Sequence, residues 1–216
     1  SVAQLDGAGA RDRIGPLTRQ SYWIAVALAL LSGAVLLSIG PLLVGIGVDP
    51  AIIPLIEDYL AALAWGLPGL CGYLVLRLMS EGLGLARPAM YFGVLGIGVN
   101  VLGNYVLMYG RWGFPELGVV GCGFATSIVV WVQCLGLAAY VARHPSYRDI
   151  GPVLRPSVPD RRELAELIRI GVAIGAANFV ESSLFSSVSF LMATLGALAV
   201  AAHQIAINFV AITFMV

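Results

Sequence analysis

The chain has 216 residues, of which 59% are hydrophobic and only 11% are charged, and its mean hydropathy is +0.92. These values lie far outside the averages of soluble proteins, so a soluble enzyme or soluble binding domain is excluded and a membrane protein is predicted. The formal net charge is zero, so charge gives no reason to expect nucleic acid as a partner.

Long stretches of the chain contain no Asp, Glu, Lys or Arg. They are residues 20–48, 59–76, 88–110, 117–142 and 182–216. Each can hold a helix that crosses a hydrocarbon layer of roughly 30 Å, which takes about 20 residues. A sixth apolar segment, 164–191, is broken only by Glu166, Arg169 and Glu181. The sequence therefore predicts an all-α membrane protein with six transmembrane helices.

The arginines are distributed unevenly between the loops of this predicted bundle. Three alternate segments, 1–19, 77–87 and 143–169, hold eleven of the twelve basic residues, and the loops between them hold only Arg111. Cytoplasmic loops carry the positive excess in membrane proteins. We therefore expect a multi-pass protein of the plasma (inner) membrane of a bacterium, embedded in the lipid bilayer. Residues 1–18, 77–87 and 143–162 are expected on the cytoplasmic side.

Four prolines interrupt the chain between residues 143 and 163. Proline has no amide hydrogen and clashes with the preceding helical turn, so this segment predicts an extended linker between two bundles, with a boundary near residue 158. Asp160, followed three residues later by Glu163, has the spacing of a capping box that starts a helix. The predicted organisation is a helix end and loop in 1–18, four spans in 19–142, a cytoplasmic linker in 143–162 and two spans in 163–216.

The third span contains two asparagines, Asn100 and Asn104, four residues apart. This spacing places them one above the other on one helix face. Helix packing explains such a pair, since an Asn hydrogen bond between membrane helices contributes about 1 kcal/mol. Two amide oxygens can equally coordinate a hard cation. On the next span, Thr126 and Gln133 lie seven residues apart, on one side of that helix.

The segment 164–191 is the fifth span in chain order, and the acidic residue Glu181 lies well inside it. It follows Arg169 by twelve residues, which is about 18 Å of helix and places the carboxylate near the middle of the bilayer. Burial of an acid at this depth costs on the order of 3 kcal/mol, so we expect the side chain to face the bundle interior and to bind a proton or a cation. A Na⁺ site at Glu181 follows as a prediction. A glutamate satisfied by neighbouring serine hydroxyls is the structural alternative.

Other polar side chains accompany Glu181 in the last two spans. Asn178 and Ser182 lie on a stripe beside it, and Gln204 and Asn208 stack four residues apart on the final span. His203 is expected to be a packing histidine, because it points about 100° away from that pair. We expect no enzyme and no cofactor, since the sequence contains neither an HExxH nor an intramembrane GxGD motif. The three cysteines lie in hydrophobic runs without ligand spacing and are expected to pack.

Three passages together resemble the multidrug and toxin extrusion (MATE) family of secondary transporters, most closely its NorM-like branch. They are SVAQLDGAGARDRIG at the start, LRLMSEGLGLARPAMYFGVLGIGVNVLGNYVLMYG with ELGVVGCGFATSIVVWVQ, and LGALAVAAHQIAINFVAITFMV at the end. The resemblance implies a twelve-helix fold in two lobes, of which this chain supplies helices three to eight. We therefore expect it to be an internal piece of a longer protein, whose remainder completes the transporter.

The resemblance also implies roles for individual residues. Asn100, Asn104 and Thr126 match polar residues of the N-lobe cation or proton site. Glu181 matches the C-lobe glutamate implicated in binding the coupling ion. Asn178, Ser182, Gln204 and Asn208 are expected to line the substrate cavity.

The implied function is multidrug efflux, in which small amphipathic, often cationic organic compounds are exchanged for Na⁺ or H⁺. A flippase for lipid-linked saccharides, of similar fold, is the first alternative. Its cavity would be expected to contain several arginines, and the spans contain none between the loop clusters. A membrane scaffold that transports nothing is the second alternative.

Overall fold

The computed structural model describes residues 2–46, 49–151, 153, 157–193 and 197–214. These residues form eight α-helices and three short 3₁₀ helices, with no strand among them. The α-helices are α1 Val2–Gly7, α2 Ile14–Leu37, α3 Gly40–Ile46, α4 Ile53–Gly82, α5 Ala86–Met108, α6 Gly118–Arg143, α7 Arg161–Ala193 and α8 Ala197–Phe214. The 3₁₀ helices are Arg11–Arg13, Arg111–Gly113 and Pro145–Ile150. The predicted all-α fold is confirmed.

The described helices include five that are long and apolar enough to cross a membrane. They are Arg11–Leu37, Ile53–Gly82, Ala86–Met108, Gly118–Arg143 and Arg161–Val188. The sixth predicted span corresponds to α8, where a shorter apolar helix, Val200–Val210, is found among the described side chains. The rest of that predicted span lies outside the side chains that the structure describes.

The first span differs in its bounds from the prediction. The charge-free run 20–48 was predicted to form one helix, but α2 begins earlier, at Ile14, and ends at Leu37. A separate short helix, α3, follows from Gly40. The break lies at Ser38 and Ile39, just before Pro41, whose ring would clash with the Leu37 carbonyl four residues earlier if α2 continued. Ser38 ends α2, and its hydroxyl donates to the carbonyl of Ala34 at 2.7 Å.

The chain divides into two compact units, Ser1–Leu164 and Ala165–Val216, and the division falls within α7. In the first unit, α4 packs against α2, α5 and α6. Glycines on α4 allow α6 to approach closely: a β-carbon at Gly66 would lie 2.9 Å from the Cα of Ser127, and one at Gly72 would lie 2.9 Å from the sulfur of Cys134. Small residues at such contacts are typical of membrane helices, where association depends on van der Waals packing.

Hydrogen bonds supplement this packing of α4 on α6. The Ser127 hydroxyl donates to the Ala62 carbonyl at 2.6 Å, and the Trp131 indole donates to the Trp65 carbonyl at 3.1 Å. Because residue numbers rise together along the contact, α4 and α6 run parallel. α5 instead runs antiparallel to α6, with Gly103 against Ala125 and Leu107 against Gly121.

One end of the first unit contains a cluster of buried hydrophobic residues. Its members come from the start of α2, the ends of α4 and α6, and the Pro145–Ile150 helix: Ile14, Tyr73, Leu76, Met79, Leu83, Leu137, Val141, Tyr147, Ile150 and Val153. The Tyr147 hydroxyl donates to Ser80 Oγ at 3.1 Å. This end carries the segments that the arginine distribution predicts to be cytoplasmic. Within the linker that was predicted to be extended, Pro145–Ile150 instead forms a 3₁₀ helix with Tyr147 and Ile150 buried.

Candidate functional site

The two asparagines of α5 form a hydrogen-bonded pair. Asn104 Nδ2 donates to Asn100 Oδ1 at 3.0 Å, and both side chains are half-buried. The predicted stacking of these residues on one helix face is confirmed. The second oxygen of the pair, Asn104 Oδ1, is buried and has no hydrogen-bond partner among the residues that the structure describes. An acceptor in this state is costly in a membrane protein, by about 1–3 kcal/mol, and is therefore suited to accept a cation or a donor.

Thr126 of α6 lies at about the same level along the helix axes as the asparagine pair of α5. The antiparallel contacts of Gly103 with Ala125 and of Leu107 with Gly121 set the register of α5 and α6. In that register, Thr126 is level with position 102, midway between the two asparagines. The hydrogen bonds of the described residues do not join Thr126 to either asparagine, because its hydroxyl donates back to the Cys122 carbonyl at 3.0 Å. Its oxygen lone pairs remain available as acceptors.

Gln133 of α6 packs against α5 in the contact between the two helices. Its Nε2 donates to the Phe92 carbonyl at 3.3 Å, and a β-carbon at Gly96 would collide with its amide. Gln133 therefore belongs to the helix contact, while Asn100, Asn104 and Thr126 supply the oxygens of the candidate site. No group of three His, Cys, Asp or Glu side chains is found among the described residues. The ligands on α5 and α6 are amide and hydroxyl oxygens, which suit hard cations.

The second unit contains the remaining predicted site residues. Asn178, Glu181 and Ser182 are exposed on α7. Gln204 and Asn208 are exposed on α8. The expectation that these five side chains face a common interior stays a prediction, as does the Na⁺ site at Glu181.

His203 is half-buried on α8, between positions 202 and 204, which are exposed. Its Nε2 is buried without a hydrogen-bond partner. This setting is consistent with the expected packing role.

Sequence reasoning missed a polar contact between α2 and the linker. Gln20 is only 5% exposed, and its side-chain amide donates to the Val158 carbonyl at 3.0 Å and accepts from the Asp160 amide at 3.1 Å. The Trp23 indole donates to the Ser157 carbonyl at 2.9 Å. Residues 157–160 are thereby attached to the start of α2. The only sequence signal is a glutamine at the beginning of an apolar span, which does not identify a partner 138 positions away.

Asp160 caps α7 as predicted, but its own amide, from which Glu163 would accept a hydrogen bond in the predicted capping box, donates to Gln20. Its carboxylate accepts from the Arg162 amide at 2.8 Å, and its carbonyl accepts from the Leu164 amide at 2.9 Å. The start of α7 is therefore fixed next to the segment held by Gln20. This attachment defines where the linker ends and the helix of Glu181 begins.

The buried cluster perturbs one titratable group outside the spans. Burial raises the pKa of the Tyr147 hydroxyl above its ordinary value, although the hydrogen bond to Ser80 partly offsets this effect. The neutral phenol is therefore the form that the folded protein favours.

Part of this chain is similar to a known protein family. The MatE family model matches residues 1–106, just under half of the chain. The matched residues include α2, α4 and most of α5, with Asn100 and Asn104 near their end. Together with five helices of membrane length, the match supports a multi-pass membrane protein. Residues 1–106 are therefore similar to the MatE family, a family of transporters.

Proposed function

We propose that the chain belongs to a secondary active multidrug efflux protein, which exchanges amphipathic or cationic organic compounds for Na⁺ or H⁺. The observation that carries the proposal is the buried, unpartnered Oδ1 of Asn104, which lies in a membrane span within the segment that matches the MatE model. An oxygen in this position gains a partner only when a cation or a donor binds. The binding of a coupling ion therefore removes the unfavourable free energy of a buried oxygen without a partner.

The chemistry of the asparagine pair favours a metal cation over a proton. An amide oxygen is a good ligand for hard cations, and an amide does not take up a proton near neutral pH. The hydrogen bond from Asn104 to Asn100 orients the pair, so that the free Asn104 oxygen is positioned before the ion arrives. Na⁺ is therefore the ion we propose for the N-terminal unit.

Glu181 is proposed as the second coupling residue. A carboxylate accepts either a proton or Na⁺, and it also attracts a cationic substrate. Because one carboxylate holds one of these partners at a time, ion and substrate compete for it. Alternating access of two lobes around a central cavity converts such competition into exchange across the membrane.

The test is ethidium efflux by the full-length protein in cells and in vesicles, with and without an imposed sodium gradient. We expect efflux to depend on the gradient and Glu181→Gln to abolish it while membrane insertion is unchanged. Glu166→Gln is the matched control, because it makes the same chemical change near the start of the same helix. Efflux at the wild-type rate by Glu181→Gln would remove Glu181 from the mechanism.

The lipid-linked saccharide flippase remains the alternative within the same superfamily, and the same experiment separates the two. A flippase would translocate a fluorescent lipid-linked saccharide across vesicle membranes and would leave ethidium efflux at background. That result, with or without a sodium gradient, would refute multidrug exchange.

A further inference from the structure

The loop between α5 and α6 presents a tryptophan on an unusual backbone. Trp112 has φ 59° and ψ 28°, which is left-handed helical conformation, and it is 78% exposed. A bulky residue is unfavourable in this region because its β-carbon crowds the following carbonyl. Such a conformation persists only where the surrounding structure imposes it, and strained residues of this kind cluster at functional sites.

The ends of the loop impose this conformation. The Leu117 amide donates to the Leu107 carbonyl at 3.1 Å, and the Phe114 amide donates to the Arg111 carbonyl at 3.3 Å. Gly110, with φ 63°, lets the chain close, since a β-carbon there would lie 2.8 Å from the Glu116 nitrogen. The loop is therefore tied to the ends of both helices, and Trp112 occupies its exposed turn.

Further aromatic side chains surround Trp112 in sequence and are also exposed. Tyr105, Tyr109 and Phe114 are 48%, 59% and 53% exposed. The rings of Tyr105 and Tyr109 lie 6.3 Å apart, and the Arg111 guanidinium lies 5.9 Å from the centre of the Tyr105 ring. We name residues 105–114, which comprise the last turn of α5 and the chain that follows it, the aromatic loop.

We propose that the aromatic loop is a membrane anchor that inserts into the boundary between phospholipid headgroups and acyl chains. α5 ends at Met108 and α6 begins at Gly118, and both helices have membrane length, so the loop lies where two spans leave the hydrocarbon layer. Tyr and Trp prefer this boundary because an apolar ring and a polar N–H or O–H are both satisfied there. Arg111 adds a cation that suits lipid phosphate.

The anchor has a consequence for the candidate site. Because the loop is joined directly to α5 and α6, its depth in the bilayer sets the depth of the hairpin that carries Asn100, Asn104 and Thr126. The inference itself rests on the membrane-spanning helices and not on the proposed transport function. Its test accordingly measures depth and not efflux.

The experiment places the full-length protein in phosphatidylcholine vesicles that contain lipids brominated at different depths. The difference between wild-type and Trp112→Phe emission isolates the fluorescence of Trp112. We expect this component to be quenched most by bromine near the headgroups and little by iodide in the aqueous phase. Trp65→Phe is the matched control: Trp65 is 52% exposed and lies twelve residues, about 18 Å, into α4, so bromine deep in the bilayer should quench it most.

Two results would overturn the proposal. Quenching of Trp112 by iodide alone would place the loop in water. Protection from both iodide and brominated lipid would mean that protein covers it, such as a second copy of the chain. Trp112→Asn supplies a second difference spectrum if the Phe variant misfolds, because Asn tolerates left-handed backbone.

Discussion

The contact between α4 and α6 allows a prediction with a defined sign and a matched control. Gly66 of α4 meets Ser127 of α6, and a β-carbon added at Gly66 would lie 2.9 Å from the Ser127 Cα and 2.5 Å from its Oγ. Ordinary carbon contacts are about 3.5–4.0 Å, so Gly66→Ala requires the two helices to separate by roughly 0.6–1 Å at this point. The nearest atom is the Ser127 Oγ, and the Ser127 Cα behind it is backbone, which cannot rotate aside.

Three effects determine the magnitude. Overpacking of a well-packed contact costs about 1–3 kcal/mol. Separation of the helices also weakens the hydrogen bond from Ser127 to the Ala62 carbonyl, now 2.6 Å long, at a cost of about 1 kcal/mol. Alanine offsets part of this, because it favours helix over glycine by about 1 kcal/mol. We therefore expect Gly66→Ala to lower the free energy of unfolding by about 1–3 kcal/mol.

The control is Gly98→Ala in α5. Gly98 is exposed, and a β-carbon there would meet nothing within 4 Å. The same chemical change should then stabilise the protein by about 1 kcal/mol through helix propensity alone. The two variants differ in what the new methyl group contacts, so opposite signs are expected.

The assay is thermal unfolding of the full-length protein in detergent, followed by circular dichroism. A loss of about 2 kcal/mol should lower Tm by about 4–8 °C for Gly66→Ala, while Gly98→Ala should raise Tm slightly. If both variants change Tm equally, or if Gly66→Ala is as stable as the wild type, the close approach of α4 and α6 at Gly66 is refuted.

Three further predictions concern other contacts. Gln20→Ala removes two hydrogen bonds to the linker, each contributing about 1 kcal/mol. Trypsin should then cleave near Arg161 about tenfold faster or more. An unchanged cleavage rate would contradict the attachment of the linker to α2. The raised pKa of Tyr147 means that the folded state holds its proton more tightly than the unfolded state. Its contribution to stability is full below the unfolded pKa of about 10 and is lost as pH rises through the higher folded value. Unfolding of wild type and Tyr147→Phe between pH 8 and 12 should show a larger loss of stability with rising pH in the wild type, and an equal loss in both would contradict this contribution of Tyr147. Asn104→Leu removes the unpartnered oxygen, so the free energy of unfolding should change by no more than about 1 kcal/mol. The sodium dependence of efflux should disappear in this variant. Efflux that still responds to sodium would argue against the asparagine site.

Features that depend on neighbouring residues were predictable from the sequence. The charge-free runs located four of the five membrane-length helices, because a charged side chain is costly inside lipid. The stacking of Asn100 on Asn104 followed from helical geometry, and the capping role of Asp160 followed from its position before an apolar run. The break at Ser38 and Ile39, between α2 and α3, was missed because hydropathy alone does not register a proline near the end of a long apolar run.

Features that depend on distant residues were not predictable. Gln20 binds backbone groups 138 and 140 positions away, and no local pattern identifies such partners. The unpartnered state of Asn104 Oδ1 depends on which side chains of α6 face α5, and the left-handed backbone of Trp112 depends on how Gly110 and Leu117 close the loop.

Local residue patterns were sufficient to predict a helical membrane protein, the approximate positions of its spans and the polar residues that share a helix face. These properties follow from local rules, since hydrogen bonding within a helix and exclusion of charge from lipid act over a few residues. The packed structure was needed to establish which glycine meets which helix, which amide oxygen lacks a partner, and where the linker is attached. Those outcomes depend on close contacts between segments far apart in the chain, and such contacts exist only after the helices have packed.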